Sequence, residues 1–258
     1  MVAGIFHSGS GLGNQLHRYV MTRILALDKG YEWGMVGTGN FKGKDFMNLD
    51  MGKSLSAKTE ALTGKDQQNG LPLSEFMEKK IIENGVDIRG YDPEINFVQD
   101  NTIIDGEFQD EKYFAHRLPE IREWLKVKSL EMPNNVCVIN VRGGEYLSNP
   151  DLILPPEYWE RAVKVIQEKG INKFEVHTDD KIYARSLFAD CPITQDMEIN
   201  WRSIRYAKYL ILSNSSFAIL PSLLNENVKE IIAPKYWARH NTKVWALPQN
   251  YYKKFTYV

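Results

Sequence analysis

Hydrophobic positions along the chain alternate between short continuous runs and longer stretches with helical spacing. The run VAGIF near the start predicts a strand. Apolar residues from Leu16 to Leu27 then recur on one face of a helix, and Gly30 lies where a left-handed C-cap is expected. Strand-like and helical segments that alternate in this way are typical of α/β layers with parallel sheets.

The rest of the first half continues this pattern less regularly. EWGMVG and NTIIDGEF predict strands, and DEKYFAHRLPEIREWLK predicts a helix interrupted at Pro119. PLSEFMEKKIIENG predicts a further helix, with Pro72 near its start and Gly85 past its end. Residues 38–70 are rich in Gly, Lys and Asn and give no assignment.

The pattern starts again after SLEMPNN. VCVINVR predicts a strand buried on both faces, PPEYWERAVKVIQEKG a helix that ends at Gly170, and FEVHTDD a strand. YLILSNSSFAILPSLLNEN reads as a strand passing into a helix, and EIIAP as a last strand. We therefore expect two Rossmann-like domains, residues 1–130 and residues 131–258.

Composition narrows the class of protein. The 258 residues are 43% hydrophobic and 25% charged with a net charge of −1, which disfavours nucleic acid as a partner. Two cysteines, Cys137 and Cys191, are too few for a disulfide framework and favour a cytoplasmic location. No apolar segment approaches the roughly 20 residues of a membrane span, and no signal peptide is apparent.

The glycine-rich loop from Gly9 to Gly13 lies between the first strand and the first helix. Asn14 occupies the position of the third glycine in a dinucleotide fingerprint, which disfavours NAD or FAD, and GTGNFKGKD lacks the spacing of a Walker A loop. Such a loop still lets backbone N–H groups at a helix N-terminus approach an anion. A tight turn without a ligand is the alternative.

Three strand ends in the second half carry groups suited to a nucleotide. Arg142 follows a buried strand and precedes two glycines, so it can grip a phosphate, and Asn140 points to the same side. Ser215 and Ser216 lie where a strand becomes a helix. Asp179 and Asp180 suit a ribose hydroxyl or a base N–H. The alternatives are a solvent-exposed arginine and simple helix capping.

Five segments, in order from Gly11 to Trp237, resemble the inverting α-1,2-fucosyltransferases of glycosyltransferase family 11. GLGNQLHRY is similar to their G-G-L-G-N-Q opening, GEFQDEKYF to G-Y-x-Q-S-E-K-Y-F, and VINVRGGEYL to V-x-H-x-R-R-G-D-Y-L. VHTDD is similar to F-S-D-D, and LSNSSFAILPSLLNEN with IIAPKYW to N-S-S-F-S-W-W-A-A-W-L and I-A-P-x-x-W.

The resemblance implies a GT-B-type fold in which two Rossmann-like domains face a cleft. Residues 131–258 would bind GDP-fucose, and an oligosaccharide or glycoconjugate acceptor would lie on the side of residues 1–130. No cofactor is implied beyond this donor. The donor-binding residues it implies are Gly11, Gly13, Asn140, Asp179, Asp180, Ser215, Ser216 and Phe217.

Arg142 would hold the diphosphate, and Asn14 would orient the acceptor or a phosphate oxygen. The candidates for a general base are Glu145, His17 and Asp179. The other histidines are scattered and are expected to be structural or exposed; they are His7, His116, His177 and His240. No Asp-x-Asp pair stands at a strand end, so no metal is expected, although Asp105 and Glu107 share one strand face.

The departures from the family keep alternatives open. Asn140 replaces the family's His, Gly143 its second Arg and Glu145 its Asp, while Ile219 and Leu220 replace tryptophans. One alternative is a transferase of another activated deoxyhexose such as rhamnose. Another is a catalytically silent protein that binds a glycan or a nucleotide. An NAD-linked oxidoreductase is disfavoured by Asn14.

Overall fold

The computed structural model describes residues 1–53, 55, 74–79, 81–83, 86–88, 90–236 and 252–258. The chain divides into two compact units. The first comprises Met1–Ile81 and Arg89–Lys126, and the second comprises Ile82–Ile88 and Val127–Val258. Each unit contains a parallel sheet flanked by helices, which confirms the α/β class that the sequence predicts.

Up to Lys126 the chain forms a parallel sheet with one long helix. Its elements in chain order are β1 (Val2–Ile5), α1 (Leu12–Lys29), β2 (Trp33–Val36), β3 (Ser74–Met77), β4 (Ile81–Glu83), β5 (Val86–Ile88), β6 (Thr102–Asp105) and α2 (Leu118–Trp124). β2, β1, β6 and β3 lie side by side in that order and run parallel, and β4 pairs with β5. Because parallel strands share one carboxyl edge, the loops after β1 and β6 are neighbours.

The predicted helix after the glycine loop is α1. It ends at Gly30, whose φ of 70° is left-handed and whose N–H donates to the Ala26 carbonyl, as the sequence predicts. Leu27 is 50% exposed, however, while Leu25 is buried. In the last turn of α1, the buried face of the helix therefore includes Leu25 but not Leu27.

The helix predicted over residues 72–85 is wrong. Ser74–Met77 forms β3, which runs parallel to Thr102–Asp105, and Ile81–Glu83 forms β4. The apolar residues of this segment have helical spacing, but the free edge of β6 supplies the hydrogen bonds that decide for the strand. Pro72 and Gly85 lie outside the described residues.

The helix around Pro119 is also shorter than predicted. It begins with two 3-10 turns, Glu111–Tyr113 and Ala115–Arg117, before α2. Pro119 lies in the first turn of α2, where its missing N–H costs no hydrogen bond, so it starts the helix and does not interrupt it.

After residue 130 the chain builds a second, larger parallel sheet. Its elements in chain order are β7 (Val136–Val141), α3 (Pro156–Gln167), β8 (Lys173–Thr178), α4 (Lys181–Leu187), β9 (Ile193–Thr194), α5 (Met197–Tyr206), β10 (Tyr209–Ile211), α6 (Ser216–Leu224), β11 (Glu230–Ala233) and β12 (Thr256–Tyr257). The predictions for β7, α3, β8, β10, α6 and β11 are confirmed. The sequence pattern did not predict β9, α5 or β12.

The strand order of this sheet is β9-β8-β7-β10-β11-β12. The chain begins in the middle at β7, moves outward to β9, and returns to the other side of β7 at β10. This is the Rossmann order, in which the direction of winding reverses between the first and fourth strands. The loops that follow β7 and β10 therefore flank the switch point of the sheet, where open α/β sheets bind ligands.

Every residue of β7 is buried, as its continuous apolar run predicts. Ile139 belongs to the apolar cluster that contains Tyr158 of α3, whereas Val138 belongs to another with Ile204 of α5 and Ala218 of α6. β7 is thus covered on both faces, and its only route to a ligand is through its carboxyl end. Within the described ranges, no helix is both long and apolar enough to cross a membrane.

Candidate functional site

Arg142 follows β7 and lies at the switch point of the second sheet. One guanidinium nitrogen donates to Asp179, and the other donates to Glu145 Oε1 at 2.6 Å. The guanidinium also lies 5.0 Å from the centre of the Tyr146 ring. Two carboxylates and an aromatic face therefore hold the arginine in one orientation at the end of a rigid strand.

The two glycines after Arg142 bring the loop against the end of β8. The Gly143 N–H donates to Asp179 Oδ1 at 2.7 Å. A Cβ on Gly143 would lie 2.7 Å from Asp180 Cβ, and one on Gly144 would lie 2.6 Å from Asp179 Oδ2. The loop therefore has no room for an arginine side chain at position 143 without a shift, and this gives a physical reason for glycine where the resembling family has a second Arg.

Asp180 caps a helix in this structure. Its Oδ1 accepts hydrogen bonds from the backbone N–H groups of Ile182 and Tyr183 at 3.0 Å each, at the start of α4. Asp179, in contrast, holds Arg142 and Gly143. Of the two adjacent carboxylates, Asp180 caps the helix that follows and Asp179 contacts the loop after Arg142.

Asn140 and the serines lie along the other side of the switch point. Asn140 is buried, and its Oδ1 accepts from Ser213 Oγ at 3.0 Å, which joins the ends of β7 and β10. Ser215 is the N-cap residue of α6, yet its side chain makes no capping hydrogen bond. Ser216 and Phe217 begin α6 and are partly buried. The N-terminus of this helix thus has backbone N–H groups in its first turn with no partner inside the helix.

A depression lies beside the carboxyl end of β10. It is shallow, open to solvent and mostly apolar. Its polar side is formed by Ser213, Asn214 and Ser215, and its aromatic side by Tyr252, Phe255 and Tyr257. An aromatic side of this kind suits contact with a planar ring.

The glycine loop reaches the switch point of the first sheet, between β1 and β6. Gly11 is the exposed N-cap residue of α1, and Gly13 is buried in its first turn. Asn14 is half-buried, and its Oδ1 accepts from Gln109 Nε2 at 3.1 Å. Asn14 therefore stands at the ligand edge of the first sheet, tied to the loop after β6.

Three charged or titratable residues at this edge were not singled out as site residues in the sequence analysis. His7 Nε2 lies 2.8 Å from Asp105 Oδ2, and Arg18 Nε donates to Asp105 Oδ1 at 2.9 Å. One signal in the sequence points to Arg18, which lies one helical turn after Asn14 on the same face of α1. His7 follows β1 and Asp105 ends β6, and they meet because these strands are neighbours in the sheet.

His17 is fully buried inside the first unit. Its Nδ1 lies 2.8 Å from the Gly13 carbonyl, so Nδ1 carries the hydrogen, and the buried Nε2 has no hydrogen-bond partner. Burial lowers the pKa of His17 to about 4. A nitrogen shielded from any substrate hydroxyl does not suit the role of general base that the sequence allowed for His17.

In the described part of the chain, no three His, Cys, Asp or Glu side chains are placed to share a metal ion. Asp105, which the sequence left as a possible metal ligand, pairs with Arg18 and His7. A carboxylate already neutralised by an arginine is a poor ligand for a hard divalent cation.

Comparison with known proteins assigns no family. The sequence has no significant match to a protein-family model or to a curated protein. Among solved structures, E. coli heptosyltransferase WaaC with ADP is similar over 100% of this chain and 92% of that chain, with 12% sequence identity and a TM-score of 0.47. A likeness of this extent assigns neither an activity nor a ligand to this chain.

Proposed function

We propose that this chain is a glycosyltransferase that moves a sugar from a nucleotide diphosphate donor to a hydroxyl of a glycan acceptor. In its specific form the donor is GDP-fucose and the transfer is inverting, as the resemblance to the α-1,2-fucosyltransferases implies. The observation that carries the proposal is the position of Arg142, oriented by Asp179 and Glu145 at the Rossmann switch point of the second sheet.

A diphosphate at this point would meet several donors. Arg142 has five N–H groups, of which the contacts with the two carboxylates use only part. Glu145 is 75% exposed, so its ion pair is worth little and can be exchanged for a phosphate oxygen. The first turn of α6 supplies backbone N–H groups and the positive end of a helix dipole.

The depression beside β10 supports the nucleotide part of the proposal. Its aromatic side, formed by Tyr252, Phe255 and Tyr257, suits contact with a base ring. Departure of the nucleoside diphosphate requires that its growing negative charge be stabilised, and a fixed arginine with a helix N-terminus can do this without reorganising.

The proposal is tested by thermal unfolding with GDP, UDP, dTDP, ADP and NAD, each alone. A ligand that binds only the folded state adds RT ln(1 + [L]/Kd) to the unfolding free energy, about 2.7 kcal/mol at a hundredfold excess over Kd. Selective stabilisation by GDP supports fucose as the sugar, and selective stabilisation by UDP or dTDP indicates another nucleotide sugar. Stabilisation by NAD alone would overturn the proposal.

Arg142→Ala links the binding to the chemistry. We expect it to fold normally and to lower kcat/KM about a hundredfold, the usual cost of losing one preorganised donor. Arg142→Lys should recover little, because an ammonium group cannot form the forked contact. Arg117→Ala is the matched control, since Arg117 is also held by two carboxylates, Asp28 and Glu120. Equal effects of the two alanine variants would contradict a phosphate role for Arg142.

A further inference from the structure

The edge of the first sheet holds an imidazole paired with a carboxylate. His7 follows β1, immediately before the glycine loop, and its side chain is 41% exposed. Asp105 ends β6, and its side chain is only 13% exposed. The 2.8 Å contact between His7 Nε2 and Asp105 Oδ2 thus joins an accessible imidazole to a carboxylate that is mostly withdrawn from water.

The carboxylate of Asp105 is itself held in place. Its Oδ1 accepts from Arg18 Nε at 2.9 Å and from the Gly106 N–H at 2.8 Å. Arg18 is nearly buried, and one of its terminal nitrogens donates to Ser10 Oγ at 3.1 Å. The Arg18 side chain and the Gly106 N–H therefore hold Oδ1, and Oδ2 faces His7.

This arrangement determines which imidazole nitrogen can accept a proton. A carboxylate only accepts hydrogen bonds, so in the neutral imidazole the hydrogen lies on Nε2 and the lone pair on Nδ1. Among the described residues, none hydrogen-bonds to Nδ1. The positive charge that appears when Nδ1 takes up a proton would be stabilised by the adjacent Asp105, as in other base–carboxylate pairs.

We propose that His7 is the general base of the transfer reaction and that Asp105 and Arg18 are its positioning residues. This inference rests on the proposed glycosyltransferase function. His7 Nδ1 removes the proton of the acceptor hydroxyl as that oxygen forms a bond to the anomeric carbon of the sugar. The bond from the anomeric carbon to the diphosphate oxygen breaks, and its electron pair leaves with the nucleoside diphosphate. The imidazolium then returns its proton to water.

The other candidates for the base are less suited. Glu145 and Asp179 both lie against Arg142, at the proposed phosphate contact, which favours a role in orienting that arginine. The free nitrogen of His17 is buried, and the amide of Asn14 is not basic. His7 combines an accessible ring, an oriented lone pair and a fixed carboxylate partner.

The deciding variant is His7→Gln, which removes the base from a partly exposed position and keeps an N–H that can reach Asp105. His116→Gln is the matched control, because His116 Nε2 also lies 2.8 Å from a carboxylate, that of Asp28, with the side chain half-exposed. Each variant is assayed with the wild-type chain for sugar transfer and for affinity of the nucleotide that the thermal panel selects.

We expect His7→Gln to lower kcat by a factor of about 10² to 10⁴, the usual range for a general base, with nucleotide affinity unchanged. The wild-type rate should fall toward acid pH as the imidazole protonates, and this acid limb should disappear in His7→Gln. The charged groups facing His7 at this edge are Asp105 and Arg18, and the neighbouring loops add Glu78 and Glu107. His116→Gln should retain the rate and the acid limb.

Two outcomes overturn the inference in distinguishable ways. If the wild-type chain transfers sugar and His7→Gln does so at a similar rate with the acid limb intact, His7 is not the base, although the proposed function stands. If the wild-type chain transfers no sugar from any nucleotide donor, the proposed function fails and the inference fails with it. Asp105→Asn is a second test. It removes the carboxylate that positions His7, so kcat should fall even though His7 is still present.

Discussion

At the scale of single residues, His17 links burial to the pH dependence of stability. Burial lowers its pKa from 6.5 to about 4, since protonating Nε2 would place a charge where no partner or water can reach it. The unfolded chain binds this proton below pH 6.5, whereas the folded chain does so only near pH 4. The contribution of His17 to stability is therefore present above pH 6.5 and is lost as the pH falls toward 4.

We predict that the free energy of unfolding decreases between pH 6.5 and pH 4 by up to about 3 kcal/mol on account of His17. Replacing it with leucine, which cannot titrate, should flatten this part of the profile. Urea unfolding of both chains at pH 7 and pH 4.5 measures the difference. His177, whose pKa burial also lowers, remains in both chains and acts in the same direction. Equal slopes in the two chains would show that His17 does not titrate as a buried group.

At the scale of elements, the distance between β1 and α1 depends on the absence of a side chain at Gly4. A Cβ at this position would lie 2.1 Å from Thr22 Oγ1 on α1 and 3.0 Å from the end of Met35 on β2. Thr22 is fully buried and its hydroxyl donates to the Arg18 carbonyl, so it has little freedom to withdraw. The absence of a side chain at Gly4 therefore allows α1, which carries Asn14 and Arg18, to pack this close to β1.

We predict that Gly4→Ala lowers the free energy of unfolding by about 1–3 kcal/mol, the usual cost of overpacking a tight contact. Gly39→Ala is the matched control, because a Cβ there would have no neighbour within 4 Å and the residue does not need a positive φ. Denaturant unfolding of the two variants gives the comparison. Similar losses in both would mean that the helix shifts to accommodate the extra methyl group.

At the scale of the whole molecule, the proposed donor site has positive groups of the protein itself that can neutralise the negative charge of a diphosphate. Arg142 and the N-terminus of α6 lie at the switch point of the second sheet, and the described residues present no metal-binding cluster there or elsewhere. A leaving diphosphate can be neutralised by such groups without a divalent cation.

We predict that sugar transfer, or donor hydrolysis without an acceptor, proceeds at the full rate in excess EDTA. The measurement compares initial rates with EDTA, with Mg²⁺ and with Mn²⁺. Activity that disappears with the chelator and returns with Mn²⁺ would refute the prediction, and Asp179 would then be the first carboxylate to replace.

Local sequence patterns predicted most of the elements and the part of the candidate site that contains Arg142 and Ser215. The apolar run of β7, the helical spacing and glycine stop of α1, and the glycines after Arg142 each depend on interactions between near neighbours in the chain. Such patterns also placed Arg142 and Ser215 at strand ends, because the residue after a buried strand necessarily lies at the sheet's edge.

Tertiary structure decided what depends on residues far apart in the chain. Residues 74–77 became a strand because β6 offered a free edge, a fact that no local pattern contains. His7 and Asp105 are 98 residues apart and meet only because β1 and β6 are neighbours in the sheet. Likewise, only the packing of α1 separates His17, sealed in the interior, from Arg18, which reaches the sheet edge. Sequence by itself determined which chemical groups were present and the elements they occupy, whereas strand pairing decided which of those groups could act together.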